Sequence, residues 1–241
     1  MAAAAAMVIL VTVGPSRPTG AADAASKRFE PVPVRARAFR SDHTYLTAWL
    51  QRRAALYNRP GGRVVTSLGE RTRWGTPRVL SVAKVRRRGK WLGVLSEHRP
   101  NGRLGWVRAS ATRPGGVREA LVADLSARRV TLLRDGRRVL RFRVAIGRPA
   151  NPTPRGRFAI TDILRVRAPS PYGCCVIALS GRQPRIPPGW TGGARLALHG
   201  TADTSAIGRA VSIGCLRGHN RAMRRLLREK PQPGTPVFIR R

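Results

Sequence analysis

Apolar residues fall in short runs broken by turn signals along most of the chain. Between residues 41 and 113 the runs are Arg53–Tyr57, Val64–Val65, Pro77–Val82, Lys90–Leu95 and Leu104–Val107, with Asn58-Arg-Pro-Gly-Gly62 and Asn101-Gly102 among the turns. Short strands at this spacing predict a small β-barrel. Further on the runs lengthen. Ala120–Leu125 and Val130–Leu133 precede Asp135-Gly136, a strong hairpin signal. Val139–Ile146 then alternates apolar and basic residues, as a half-buried strand does. Arg157–Thr161, Cys175–Leu179, Arg195–Leu198 and Pro236–Ile239 read as further strands. One helix is predicted, Arg221 to Glu229, with Asn220 as its N-cap and Pro231 as its stop.

The fold class is therefore mainly β with one late helix. Arg113-Pro-Gly-Gly116 reads as a boundary between a small module at 41–113 and a larger domain at 118–241. Upstream, Ala2 to Val13 is apolar and of signal-peptide length. Pro15 and Pro18 interrupt it, and Ala22-Asp23-Ala24 follows as a cleavage pattern. Residues 1–24 are expected to be a signal peptide and the Pro- and Arg-rich residues 25–40 a linker. No apolar run reaches the roughly 18–20 residues of a membrane span, so no span is expected in the mature protein.

Charge sharpens the picture. The 241 residues hold 47 Lys and Arg against 11 Asp and Glu, a net of +36. The excess is spread evenly, +17 over residues 1–117 and +19 over 118–241. A globally basic surface is attracted to polyanions. Nucleic acid and an anionic cell envelope both qualify, but the signal-like N-terminus favours export and argues against a nucleic-acid partner. At 5% the aromatic content also gives little to a base-stacking platform. Trp74, Trp91 and Trp106 fit either a binding groove or a small barrel core.

The candidate chemistry lies in Leu198-His-Gly-Thr201 and Val211-Ser-Ile-Gly-Cys-Leu-Arg217. His199 ends a strand, and Cys215 follows sixteen positions later in a glycine-containing loop before the predicted helix. An imidazole and a helix N-terminus both lower a thiol pKa, and a thiolate is the better nucleophile. Gly214 permits a tight turn with backbone N–H groups free to hold an oxyanion. On spacing alone a buried structural His and Cys would fit as well. Cys174 and Cys175 are adjacent, which strains a mutual disulfide, and they read as packing residues. No Cys-x-x-Cys spacing supports a metal site built on His199, Cys215 and His219, so neither metal nor cofactor is expected.

These motifs resemble the L,D-transpeptidase catalytic-domain family, whose pattern is a His followed by Ser/Thr-x-Gly-Cys, a small apolar residue and Arg or Asn. Here that is His199, Ser212, Gly214, Cys215, Leu216 and Arg217. Ala120–Leu133, Val144–Gly147, Asn151-Pro-Thr-Pro-Arg-Gly-Arg-Phe158 and Pro233–Ile239 also resemble family segments, so the likeness spans residues 118–241. It implies a β-rich fold with the site in a cleft. It also implies Cys215 as nucleophile toward peptidoglycan stem tetrapeptides, His199 as base, and Gly200 as the carbonyl orienting that His. Ser212, Gly214 and Cys215 would shape the oxyanion site and Arg217 would bind substrate, the product being a 3→3 cross-link. Many members carry a second His where this chain has Ile213, which leaves His199 as the one base. Residues 41–113, Asn101–Val107 above all, resemble a bacterial SH3-like domain. The expected location is the cell envelope, with anionic wall polymers as further partners. An L,D-carboxypeptidase using the same site and an idle wall-binding protein are the alternatives.

Overall fold

The computed structural model describes residues 43–167 and 169–241. The expected signal peptide and linker lie outside them. Seven strands come first: β1 (Tyr45–Leu50), β2 (Ala54–Tyr57), β3 (Val64–Leu68), β4 (Val79–Arg86), β5 (Trp91–Val94), β6 (Gly105–Arg108) and β7 (Thr112–Val117). They form one sheet in the order β3-β2-β6-β5-β4-β1-β7. Leu50, Leu56, Leu68, Leu80, Val82, Val94 and Val107 make its core. Trp91 is buried there, edge-on to Tyr57 at 5.0 Å.

Two features here depart from the sequence reading. β1 carries no strong turn signal on either side and was not among the predicted strands. Arg113-Pro-Gly-Gly116, expected to be a boundary turn, lies inside β7 and pairs with β1, Ala48 opposite Pro114. Proline is tolerated because β7 is an edge strand, where a missing N–H costs no ladder bond. Gly115 eases the fit, since a Cβ there would lie 3.1 Å from Thr47 Oγ1 and 3.3 Å from Trp49 Nε1 and would push those side chains aside.

The second sheet has nine strands: β8 (Glu119–Asp124), β9 (Arg129–Arg134), β10 (Arg137–Gly147), β11 (Gly156–Arg165), β12 (Cys175–Arg182), β13 (Arg195–Thr201), β14 (Ala210–Ser212), β15 (Leu216–His219) and β16 (Pro236–Arg240). Asp135 and Gly136 join β9 to β10 with φ of 54° and 73°, the left-handed pair that a tight hairpin requires. β10 is long enough to serve twice. Its first half pairs with β9 and its second half with β15 and β14, which closes the sheet on itself. Leu121, Leu132, Ile160, Ile177, Leu198 and Leu216 fill the interior.

The helix α1 spans Asn220–Arg228 and buries Met223 and Leu226. Its cap differs from the expected Asn220. His219 is the N-cap, its Nδ1 accepting from the Arg221 N–H at 3.2 Å. Asn220 instead turns its Oδ1 to the backbone N–H of Cys174, 2.9 Å away. The two sheets touch through polar contacts. Thr72, on the β3–β4 loop, donates to the buried carboxylate of Asp162 on β11. Asn101 exchanges two hydrogen bonds with the backbone of Arg182.

Candidate active site

β13 and β15 run parallel and adjacent, with Leu198 opposite Leu216 and His199 opposite Arg217. Cys215 precedes Leu216 by one residue, so the register sets it beside the residues just before His199. Its Sγ lies 3.9 Å from the Arg195 carbonyl oxygen. His199 and Cys215 line one cleft of about 370 Å³, together with Arg217 and Ile213.

His199 is buried, and its Nδ1 is 2.7 Å from the Gly200 carbonyl oxygen. A carbonyl only accepts, so Nδ1 carries the hydrogen and Nε2 is left with a lone pair. The Tyr172 ring stands edge-on to the imidazole at 5.1 Å and limits its rotation. Burial drives the His199 pKa down to about 4, Gly200 opposes the shift, and the Arg217 charge adds to it.

The thiol does not match the activated state expected from the sequence. Burial pushes the Cys215 pKa above the ordinary thiol range, while the Ala197 N–H and Arg217 pull it back in part. The helix N-terminus does not follow directly either, because β15 intervenes before Asn220. The resting pair is a neutral thiol and a neutral imidazole.

The turn before Cys215 is held by Ser212, whose hydroxyl donates to the Cys215 carbonyl at 2.6 Å and accepts from the Gly214 N–H at 3.1 Å. The Gly214 N–H, expected to be free for an oxyanion, is thus engaged. Gly214 has φ of 105°, and a Cβ there would collide with the Gln183 amide. Buried Gln183 braces the turn by donating to the Ile213 carbonyl at 3.2 Å. Arg217 keeps a buried Nε that makes no hydrogen bond among the described residues.

The three cysteines are free thiols. Cys175 is buried, and its pKa is raised to about 12, first by burial and then by Cys174. Several cleft residues carried no sequence signal: Tyr172, Gln183, Trp190 and Arg195. Trp74, Trp91 and Trp106, which fit either a groove or a barrel core in the sequence, divide. Trp91 belongs to the core, Trp106 is half-buried, and Trp74 lines the cleft.

The family model of the L,D-transpeptidase catalytic domain matches residues 118–239, about half of the chain. The chain belongs to the L,D-transpeptidase family. Among its relatives, the YkuD protein of Bacillus licheniformis is 32% identical over 129 residues, covering 52% of this chain and 68% of that protein. The YkuD protein of Bacillus subtilis is 32% identical over 122 residues, covering 50% and 65%. Solved L,D-transpeptidases are similar at lower identity. That of Enterococcus faecium is 20% identical with a TM-score of 0.40, covering 51% of this chain and 49% of its own. L,D-transpeptidase 3 of Mycobacterium tuberculosis is 17% identical with a TM-score of 0.43, covering 57% and 74%. Within this L,D-transpeptidase chain, His199, Cys215 and Arg217 all fall in the matched region.

Proposed function

We propose that this protein is an exported, cell-envelope L,D-transpeptidase that cross-links peptidoglycan stem peptides through an acyl-enzyme on Cys215. The observation that carries the reading is one cleft shared by a thiol and an imidazole whose proton-accepting nitrogen is free. Sγ attacks the carbonyl of the L-to-D peptide bond in a tetrapeptide stem. Its proton passes to His199 Nε2 as the S–C bond forms, because neither group is charged beforehand. His199 then returns that proton to the leaving amine of the terminal D-amino acid. The amine of a second stem peptide attacks the thioester, loses a proton to His199 and leaves a 3→3 link, and Sγ regains its proton.

With the Gly214 N–H taken by Ser212, the Cys215 N–H is the better oxyanion donor. Arg217 lies where a guanidinium can bind a substrate carboxylate, and its charge favours the anionic forms that develop. Residues 43–117 form a module that we read as SH3-like and as a wall-retention element. The net charge of +36 supports a location among anionic wall polymers. Purified protein incubated with a tetrapeptide-containing muropeptide should yield a dimer whose mass is that of two muropeptides less one D-alanine. Cys215→Ala should yield none. Tripeptide product alone would assign water as the acceptor, and no turnover would remove the enzymatic reading.

A further inference from the structure

The cleft does not end at the second sheet. Arg73 and Trp74, on the β3–β4 loop of the first sheet, form part of its wall. The loop is fixed at its base: Thr72 donates to buried Asp162, the Thr72 N–H bonds the Thr76 carbonyl at 2.8 Å, and the Trp74 N–H reaches Thr72 Oγ1 at 3.2 Å. Beyond Trp74 the cleft continues into an annex of about 540 Å³ between the two sheets. Four guanidiniums line the annex, from Arg73, Arg78, Arg182 and Arg195, against the carboxylates of Glu97 and Asp162.

The pairing is uneven. Glu97 lies 2.9 Å from Arg78 and 3.9 Å from Arg195, so it serves both. Asp162 is held by Thr72. Among the described residues no carboxylate pairs with Arg73 or Arg182. The Arg73 guanidinium makes only a ring contact, 4.7 Å above Trp74. Two unneutralised guanidiniums facing one cavity that opens from a reactive cleft suit an anion on an extended ligand. An ammonium group would meet net positive charge there.

We propose that Arg73 and Arg182 form a carboxylate subsite for the peptide whose carbonyl meets Cys215, so that the first sheet helps to select substrate. The proposal rests on the reading above and names the chemistry of its substrate: a peptide arm with a free carboxylate. Trp74 stands between the subsite and the reacting end, its ring in contact with the guanidiniums of Arg73 and Arg195.

The test is binding to the Cys215→Ala protein, titrated with a stem tetrapeptide whose carboxyl groups are free and with the same peptide amidated. Wild-type turnover of the free-acid peptide is measured in parallel. A partly exposed charge-assisted pair predicts a preference of about tenfold for the free acid. Arg73→Gln and Arg182→Gln, each added to that background, should bring the ratio to about twofold or less at an unchanged Tm. Both side chains are exposed, and the packing lost is confined to the Arg73 contact with the Trp74 ring. If Arg73→Gln lowers Tm, Arg182→Gln decides. A ratio that survives both variants, or a ratio of one with turnover intact, overturns the subsite and leaves the proposed activity standing. Absence of both binding and turnover overturns the proposed activity and the subsite with it.

Discussion

Acidification should destabilise this fold through His199. The imidazole has an ordinary pKa of 6.5 and is held at about 4 by burial, with Arg217 adding to the shift and the Gly200 carbonyl opposing it. Between those two values the unfolded chain binds a proton that the folded chain refuses. Stability therefore falls as the pH falls from about 6.5 toward 4, and the contribution is level above and below that window. A depression of this size corresponds to about 3 kcal/mol, of the order of half the stability of a marginal domain. Urea unfolding of wild type and His199→Asn, followed by tryptophan fluorescence at intervals from pH 7.5 to 4, isolates the term. Asparagine does not titrate, and the carboxylates common to both proteins cancel in the difference. The wild type should lose about 3 kcal/mol relative to the variant across the window. Two curves that stay parallel from pH 7.5 to 4 would refute the buried neutral imidazole, and with it the argument that the proton moves only during attack.

Further outcomes follow from the same geometry. Turnover should fall on the acid side near pH 4 rather than 6.5, because His199 keeps its accepting nitrogen until then; pH–rate profiles of acylation read this directly. A neutral alkylating reagent on the native protein should label Cys215 and spare Cys175, which is buried and whose pKa stands at about 12; peptide mass mapping checks it. Gly214→Ala should cost about 2 kcal/mol or more and abolish acylation, since φ of 105° and the Gln183 amide both oppose a Cβ; Tm and the mass of the protein after incubation with a tetrapeptide stem report the two effects. Thr72→Val should lower stability by about 1–3 kcal/mol, because it strips a hydrogen bond from Asp162, whose Oδ2 already lacks a partner; urea unfolding measures it.

Strands with clean alternation were legible in the sequence. Val139–Ile146 sits inside β10, and Asp135-Gly136 makes its turn. The His and Cys motifs were legible because each is a local string. What escaped depended on partners far along the chain. β7 looked like a turn, since Pro and Gly weigh against a strand unless one knows it lies at an edge beside β1. β14 and β15 are too short for periodicity and gain strand geometry only from β10 and β13. The helix end read correctly in position but not in cap, because Asn220 had a competing acceptor role toward Cys174. Thiol activation was overestimated for a physical reason. Neighbouring charges can be guessed from a motif, whereas burial, the dominant cause for Cys215, is a property of the assembled cleft. Trp74 lies too far from Cys215 in sequence for any local pattern to join them.

The parallel register of β13 and β15 also says which parts of this chain are free to change length. His199 and Arg217 are register partners on adjacent parallel strands, and in the return between them residues 202–205 are exposed, whereas Ala206 is buried and Gly208 and Arg209 bond to Val144 and Ile146 of β10. Lengthening or trimming residues 202–205 alters an exposed turn and leaves the His199–Arg217 register alone. A single residue inserted between Cys215 and His219 is different. Placed before Arg217 it would turn that side chain to the opposite face of the sheet and shift the start of α1 by one position, so tolerance to insertion should already be lost at the Ser212–Gly214 turn and stay lost to His219.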